Sequence, residues 1–155
     1  RALQAIEYST LYTNKQILPA AGISAAAWAI MFGGGIADFF IAFATAVVAE
    51  LLTQWMTKRQ VHGYMATLLC SFVSTILPQL VCHALQTGSP EACIAGALMP
   101  LLPGLAMTNA IQDTMRGDIV SGVAHGMNAI LSAGMIAGGT LCASSLFHLL
   151  IGGLL

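Results

Sequence analysis

Residues 92–107 read ACIAGALMPLLPGLAM, an apolar stretch that is interrupted by Pro100 and by Pro103-Gly104. Proline removes a backbone donor and clashes with the preceding turn, so this stretch predicts a helix that is broken near its middle. In a bilayer such a break survives only where protein or a water-filled cavity satisfies the freed backbone groups. The alternative interpretation is a proline kink that only shapes the packing of helices.

The composition of the whole chain places this stretch in a membrane protein. The chain has 155 residues, of which 57% are hydrophobic and 7% charged, whereas a soluble domain carries about 25% charged residues. Lipid tails are a good solvent for such a surface, so the lipid bilayer is the first partner that the sequence predicts. The net charge of −1 says nothing about nucleic acid, but the sequence has no basic tract that could neutralise phosphates, so no nucleic-acid partner is expected.

Hydropathy predicts an all-α bundle of about five transmembrane helices, the fourth of which contains the Pro-Gly break. Residues 1–16 are interpreted as the end of a cytoplasmic or juxtamembrane helix, and residues 17–155 as the transmembrane domain. The polar stretch 108–128 is interpreted as a loop. A span needs about 20 apolar residues, and the predicted spans are about 17–36, 39–56, 64–85, 92–107 and 129–151.

The charged residues give this layout an orientation. Asp38 and Glu91 fall on one side of a five-span zigzag. Basic residues favour the cytoplasmic side of a membrane, so we expect a multi-pass protein of the plasma (inner) membrane whose N-terminus is cytoplasmic and whose C-terminus is outside. The basic residues that fall on the opposite side from the carboxylates are Lys15, Lys58, Arg59 and Arg116.

Glu50 is the carboxylate that lies well inside a predicted span. Ala42, Ala46 and Glu50 share one helical face, and small residues mark a helix contact face, so we expect Glu50 to point into the bundle. A carboxylate there is costly and suits a proton carrier. The alternative is a glutamate near the interface that reaches the headgroups or pairs with Lys58 or Arg59.

Polar residues follow the break directly. Asn109 and Asp113 lie one turn apart on the same helical face. Together with Pro103 and Gly104 they are the predicted substrate-binding or gate residues, and Asp113 shares with Glu50 the predicted role in proton coupling. A solvated cytoplasmic loop is the alternative for this charged segment.

Glycines recur in the last part of the chain at intervals of four or eight residues, and these are Gly122, Gly126, Gly134 and Gly138. Such a stripe lets a neighbouring helix approach closely, so it predicts a helix-packing face. Lining of a pore is the alternative.

No catalytic residue, metal site or cofactor is predicted. The chain has no HExxH, GxSxG or P-loop motif, which argues against an enzyme. The cysteines are interpreted as buried free thiols, although Cys82 and Cys93 flank one predicted loop and a disulfide is the alternative. His83 and His148 lie near the outer ends of their spans without a second ligand at metal-binding spacing. His125 is a candidate for pH sensing.

Two stretches carry a resemblance to a known family. Residues 103–122, PGLAMTNAIQDTMRGDIVSG, resemble the signature of the threonine/serine exporter family, and residues 28–35, WAIMFGGG, resemble the glycine-rich end of its first helix. Gln112 departs from the pattern, because arginine is more frequent there, and the missing guanidinium weakens bidentate recognition of a carboxylate. His125 and Asn128 stand where a basic residue and a carboxylate are frequent. The positions that match are Pro103, Gly104, Asn109, Asp113, Gly117 and Gly122.

The resemblance implies the first five-span membrane domain of a secondary transporter that exports small polar metabolites on an ion or proton gradient. Members include exporters of threonine and serine and two-subunit exporters of succinate-like dicarboxylates. It also implies a soluble region upstream of Arg1 and a second five-span domain or subunit as partner, with a homo-oligomer as the alternative. The alternative functions are a structural or regulatory membrane subunit without its own pathway, and a passive channel.

Overall fold

A computed structural model describes the backbone of residues 14–152 and the side chains of residues 17–151. Within that range the chain is all α-helical and contains no strand. The expectation for residues 1–16 lies almost entirely outside the described residues. The elements are α1 (Asn14–Met31), α2 (Ile36–Lys58), α3 (Gly63–Leu85), α4 (Pro90–Leu98), a 3₁₀ turn (Met99–Leu101), α5 (Gly104–Met115) and α6 (Ile119–Gly152).

Length and apolarity identify the helices that can cross a membrane. Helices α2, α3 and α6 are each long and apolar enough, and α4 with α5 forms a fourth candidate span that is bent by 54°. The apolar part of α1, Ile17–Met31, is shorter and covers about 22 Å at 1.5 Å per residue, against about 30 Å of hydrocarbon. The prediction of an all-α membrane protein with a broken fourth span is confirmed.

The break has the physical cause that the sequence predicts. Helix α4 ends at Leu98, the chain tightens into a 3₁₀ turn that contains Pro100, and α5 begins only after Pro103. Neither proline can donate a backbone hydrogen bond. Leu102 therefore lies in extended backbone between the two helical pieces, and its N–H donates to the Met99 carbonyl at 3.3 Å.

Helices α3 and α6 run parallel to each other. Their contacts join residues about 64 positions apart along the whole pair: Tyr64 with Asn128, Ser71 with Met135, and Gln79 with Ser144. Gly139 allows the close approach, because a Cβ there would collide with the Ser71 hydroxyl and the Leu68 carbonyl. A small residue at this point therefore sets the distance between the two helices.

The helix boundaries differ from the predicted spans at the last loop. Residues 108–128 form most of a helical hairpin, because α5 continues to Met115, Gly117 turns the chain at a φ of +87°, and α6 begins at Ile119. The 34 residues of α6 make a helix about 51 Å long. Asn128 lies level with the start of α3, so the first nine residues of α6 extend about 14 Å beyond that level.

The core on the other side of the bundle is built from alanine and glycine. Gly96 of α4 packs so closely on α1 that a Cβ there would lie 2.5 Å from the Ala25 carbonyl and 2.8 Å from the Ala29 nitrogen. Ala42 and Ala46 of α2 are buried as well. Close backbone contact of this kind is the usual way in which helices associate in lipid, and it brings α1, α2 and α4 together around the break.

Candidate functional site

A cavity of about 210 Å³ lies at the break, between α1, α2 and α4. Its walls combine the Glu50 carboxylate and Thr53 of α2 with Pro100 and Leu101 of the 3₁₀ turn. The rest of the lining is small and apolar and comes from Ala21, Ala46, Ala49 and Ala97. The structure thus brings together the two features that the sequence marks separately, namely the intramembrane carboxylate and the interrupted helix.

The contacts of Glu50 favour the prediction that its side chain points into the bundle over pairing with Lys58 or Arg59. Its carboxylate is half-buried and accepts a hydrogen bond from Gln54 Nε2 at 3.2 Å, one turn further along α2. Among the described residues Glu50 forms no ion pair with Lys58 or Arg59, and the Arg59 guanidinium lies instead over the Trp55 ring, 5.1 Å from its centroid. A carboxylate that faces a cavity inside a membrane bundle is a candidate functional group.

Thr53 adds a polar surface beside Glu50. Its hydroxyl donates to the Ala49 carbonyl at 2.9 Å and lies 3.0 Å from the Cys70 sulfur of α3. The cavity therefore carries one ionisable group and one hydroxyl against an otherwise apolar wall, which is the general pattern of sites for small molecules.

The other predicted site residues lie elsewhere. Pro103 is half-buried at the start of α5, and Gly104 and Asn109 are exposed. None of these three lines the cavity that contains Glu50. The predicted residues therefore lie on opposite sides of the break. Glu50 faces the α4 side, whereas Asn109 and Asp113 lie on α5, which packs against α6.

Asp113 is fixed by a partner that the sequence did not assign to it. Its Oδ2 lies 2.9 Å from His125 Nδ1, so a carboxylate and an imidazole join the two helices of the hairpin.

At the turn, the backbone N–H of Ser121 donates to Asp118 Oδ1 at 3.1 Å, and the hydrogen bonds from Ser121 lower the pKa of Asp118. Asn128 accepts from Tyr64. Positions 125 and 128, where the chain departs from the family pattern, thus carry polar contacts, the first within the hairpin and the second between α6 and α3.

The glycine stripe divides into two parts. Gly122 packs against Thr114 and the Ala110 carbonyl of α5, and Gly126 lies near the Ala110 methyl group. Nothing in the described part of the chain lies within 4 Å of a Cβ placed at Gly134 or Gly138. A packing role for Gly134 and Gly138 stays a prediction, while Gly139, which lies outside the predicted stripe, is the glycine that contacts α3.

A buried polar cluster at the opposite end of α2 was missed. Asp38 is 2% exposed. Its Oδ2 accepts the Gly35 N–H at 2.7 Å, and its Oδ1 accepts the Ser89 N–H at 2.9 Å and lies 3.3 Å from Cys93 Sγ. Gly88, with a φ of +90°, packs against the same carboxylate. The signal in the sequence was an aspartate three residues after the last of three consecutive glycines, which was interpreted only as a loop charge.

An open cleft of about 460 Å³ adjoins this cluster at the same end of the bundle. His83 and His148, which the sequence places separately at outer ends of spans, both line it, together with Glu91. The ring of Phe147 packs edge-on against His83, with the centroids 6.0 Å apart. Cys82 lies where the cleft meets the buried cluster.

An interrupted helix that faces an intramembrane carboxylate is typical of membrane transport proteins. Comparison with known proteins assigns the chain within that class. The model of the threonine/serine exporter family matches residues 1–147. The chain belongs to this family, which is a family of transporters and not of enzymes, as the sequence predicted.

Individual relatives are distant. The chain is 29% identical over 131 residues to a threonine/serine exporter of Corynebacterium glutamicum, a match that covers 79% of this chain and 27% of the relative. It is 27% identical over 105 residues to the "Probable succinate transporter subunit YjjP" of Klebsiella aerogenes, which covers 67% of this chain and 41% of that protein. The chain thus spans less than half of these relatives. No solved structure matches it.

Proposed function

We propose that this chain is the membrane-embedded part of a secondary transporter that exports small polar metabolites, either threonine- and serine-like amino acids or succinate-like dicarboxylates. One relative is named a threonine/serine exporter and another a succinate transporter subunit. The observation that carries the proposal is the position of Glu50 in a cavity at the break. A cavity of about 210 Å³ is smaller than the roughly 300–1,000 Å³ of sites for drug-sized ligands, and so suits a small metabolite.

Glu50 supplies the coupling in this proposal. Its carboxylate has no counter-ion among the described residues, and it is the ionisable group of the cavity, so we assign proton coupling to it. The interrupted helix presents half-helix ends and unpaired backbone groups to a polar solute. Proton binding at Glu50 and solute binding beside Pro100 then occur in one cavity, which is the arrangement that links the two fluxes.

The α5–α6 hairpin serves as the cytoplasmic gate. Its Asp113–His125 contact joins the two helices, and Asn109 is exposed on α5 where it can contact a solute that enters from the cytoplasm. A carboxylate–imidazole contact responds to protonation of either group. In this account Asp113 acts at the gate, and Glu50 acts in the cavity. The N-terminus is cytoplasmic, as the charges on the loops predict.

A second membrane domain or subunit completes the pathway. The relative from Klebsiella aerogenes is named a subunit. Gly134 and Gly138 present small surfaces that no described part of this chain covers, and small residues are the usual contact face for another transmembrane helix. We assign this face to the second domain or subunit, and a homo-oligomer is the other arrangement that a test must distinguish.

The test is export by the full-length protein and its co-purified partner in proteoliposomes, with threonine, serine and succinate in competition. An imposed proton gradient should accelerate export of one of these classes of solute. Flux that is indifferent to the gradient would favour a passive channel. Flux that the partner supports equally well alone would favour a structural or regulatory subunit, and either result would overturn the proposal.

A further inference from the structure

Three metal-ligating side chains from three helices converge at the buried end of the open cleft that His83 and His148 line, which we call the outer cleft. Asp38 comes from the first turn of α2, Cys82 from the last turns of α3, and Cys93 from the second turn of α4. They are 2%, 6% and 0% exposed. Their ligand atoms all lie within 4.8 Å of one another. We propose that Asp38, Cys82 and Cys93 form a binding site for a thiophilic divalent cation such as Zn²⁺.

The spacing fits tetrahedral coordination. With Zn–S bonds of about 2.3 Å and Zn–O bonds of about 2.0 Å, neighbouring sulfur and oxygen ligands lie about 3.5 Å apart, and two sulfurs about 3.8 Å apart. The distance between Cys93 Sγ and Asp38 Oδ1 is 3.3 Å, so this edge of the tetrahedron is already formed. The ligand atoms lie at most 4.8 Å apart, so the two sulfur atoms need to approach each other by no more than about 1 Å to reach this spacing.

The carboxylate is held in place by groups that do not bind the metal. The Gly35 N–H fixes Asp38 Oδ2, and the Ser89 N–H fixes Oδ1. Outer contacts of this kind orient metal ligands and raise affinity. Ser89 precedes α4 and Asp38 lies in the first turn of α2, so the positive ends of two helix dipoles lie at the cluster.

Binding exchanges protons for the metal. The Cys82 and Cys93 thiols each lose one proton as the two metal–sulfur bonds form, and the Cys93 hydrogen bond to Asp38 is replaced by the bonds that both residues make to the same ion. Cys82 lines the outer cleft, which gives the ion a route from solvent and leaves a fourth position for water. The bound ion would clamp α2, α3 and α4 together at this end.

The test uses Cd²⁺ as a spectroscopic substitute for Zn²⁺ on the reduced, full-length protein in detergent. We expect one Cd²⁺ per chain with a cadmium–thiolate charge-transfer band, and displacement by Zn²⁺ with release of two protons. Cys82→Ser and Cys93→Ser should each abolish the band. Cys142→Ser and Cys70→Ser, which change one thiol outside the cluster, should keep it. A band of unchanged stoichiometry in Cys82→Ser or Cys93→Ser would overturn the proposal.

Alkylation of the wild-type protein gives a second test that needs no variant to fold. Zn²⁺ should slow the modification by a small maleimide of Cys82, which lines the cleft, and leave that of the exposed Cys142 unchanged, as resolved by mass spectrometry. Asp38→Asn should weaken binding about tenfold or more, the loss typical even of outer-shell groups. Equal labelling with and without Zn²⁺, or a Cys82–Cys93 disulfide that forms in its presence, would contradict a metal site.

Discussion

The Tyr64 hydroxyl donates a 3.0 Å hydrogen bond to Asn128 Oδ1 and sets the second residue of α3 level with the tenth residue of α6. Two parallel helices are thereby aligned near the end where the α5–α6 hairpin extends beyond the bundle. The cavity with Glu50 lies on the other side of the molecule, against α4. The Glu50 cavity and the hairpin are thus separate polar regions on the two sides of the break.

The contact between α3 and α6 depends on Gly139. Gly139→Ala should lower the thermal stability of the detergent-solubilised protein, because the new Cβ meets the Ser71 hydroxyl and the Leu68 carbonyl, and overpacking of this kind costs about 1–3 kcal/mol. Gly138→Ala is the matched control, since a Cβ there meets nothing within 4 Å in the described part of the chain. Equal melting temperatures for the two variants would show that the α3–α6 contact is looser than described.

Gly134 and Gly138 of α6, where an added Cβ meets no described atom within 4 Å, should lie against the partner. Gly134→Leu and Gly138→Leu should leave the chain folded and reduce co-purification of the second membrane subunit or domain, because a bulky side chain prevents close approach of a helix. Ala137→Leu on the same helix, at an exposed position outside the glycine stripe, is the control. Undiminished association in both glycine variants, measured by native mass spectrometry, would remove this face from the interface.

The contact between Asp113 and His125 should stabilise the hairpin only modestly. Both side chains are partly exposed, at 24% and 44%, so solvent screening limits the pair to roughly 0.2–1 kcal/mol. A double-mutant cycle with Asp113→Asn and His125→Gln should return a coupling energy in that range. If Asp113 also acts at the gate, Asp113→Asn should reduce gradient-driven export far more than this small loss of stability explains. A loss of export no larger than the loss of stability explains would point to a structural role alone.

The break should matter for transport and not only for shape. Replacing Pro100 and Pro103 together by alanine restores the missing N–H groups and favours a continuous helix, since proline costs about 3 kcal/mol in a helix interior. We expect unchanged or higher thermal stability and a loss of export. Pro19→Ala, at an exposed proline within α1, is the control. Export at the wild-type rate in the doubly substituted protein would mean that the prolines only shape packing.

Local rules predicted much of the fold. The apolar runs gave the helices, and the prolines gave the break, because proline acts on its own turn. The hairpin was missed because its polar residues, such as Asp113 and His125, satisfy one another across two helices, and a contact between positions twelve apart has no local signature. The Asp38 cluster was missed for the same reason: its partners Ser89 and Cys93 lie more than fifty residues away in sequence.

The sequence marked Glu50 and the Pro-Gly break separately but did not predict that they meet in one cavity. The spacing of Ala42, Ala46 and Glu50 indicated an inward face, and Glu50 does line an interior cavity. Pro100 forms the opposite wall of this cavity because α4 packs on α1 through Gly96. No pattern within one helix reveals this packing. Asn109 looked close to the break in sequence, but the 54° bend carries it away with α5.

In the proposed mechanism the Glu50 carboxylate couples the proton gradient to export, and Glu50→Gln removes this group with the smallest change in shape. The full-length variant and its partner, reconstituted in proteoliposomes, should lose gradient-driven export and keep solute exchange at equal proton concentrations, because only the titrating group is removed. Asp118→Asn, which neutralises an exposed carboxylate but retains the capping side chain at the start of α6, should export at the wild-type rate. Gradient-driven export at the wild-type rate by a folded Glu50→Gln protein would contradict proton coupling through Glu50.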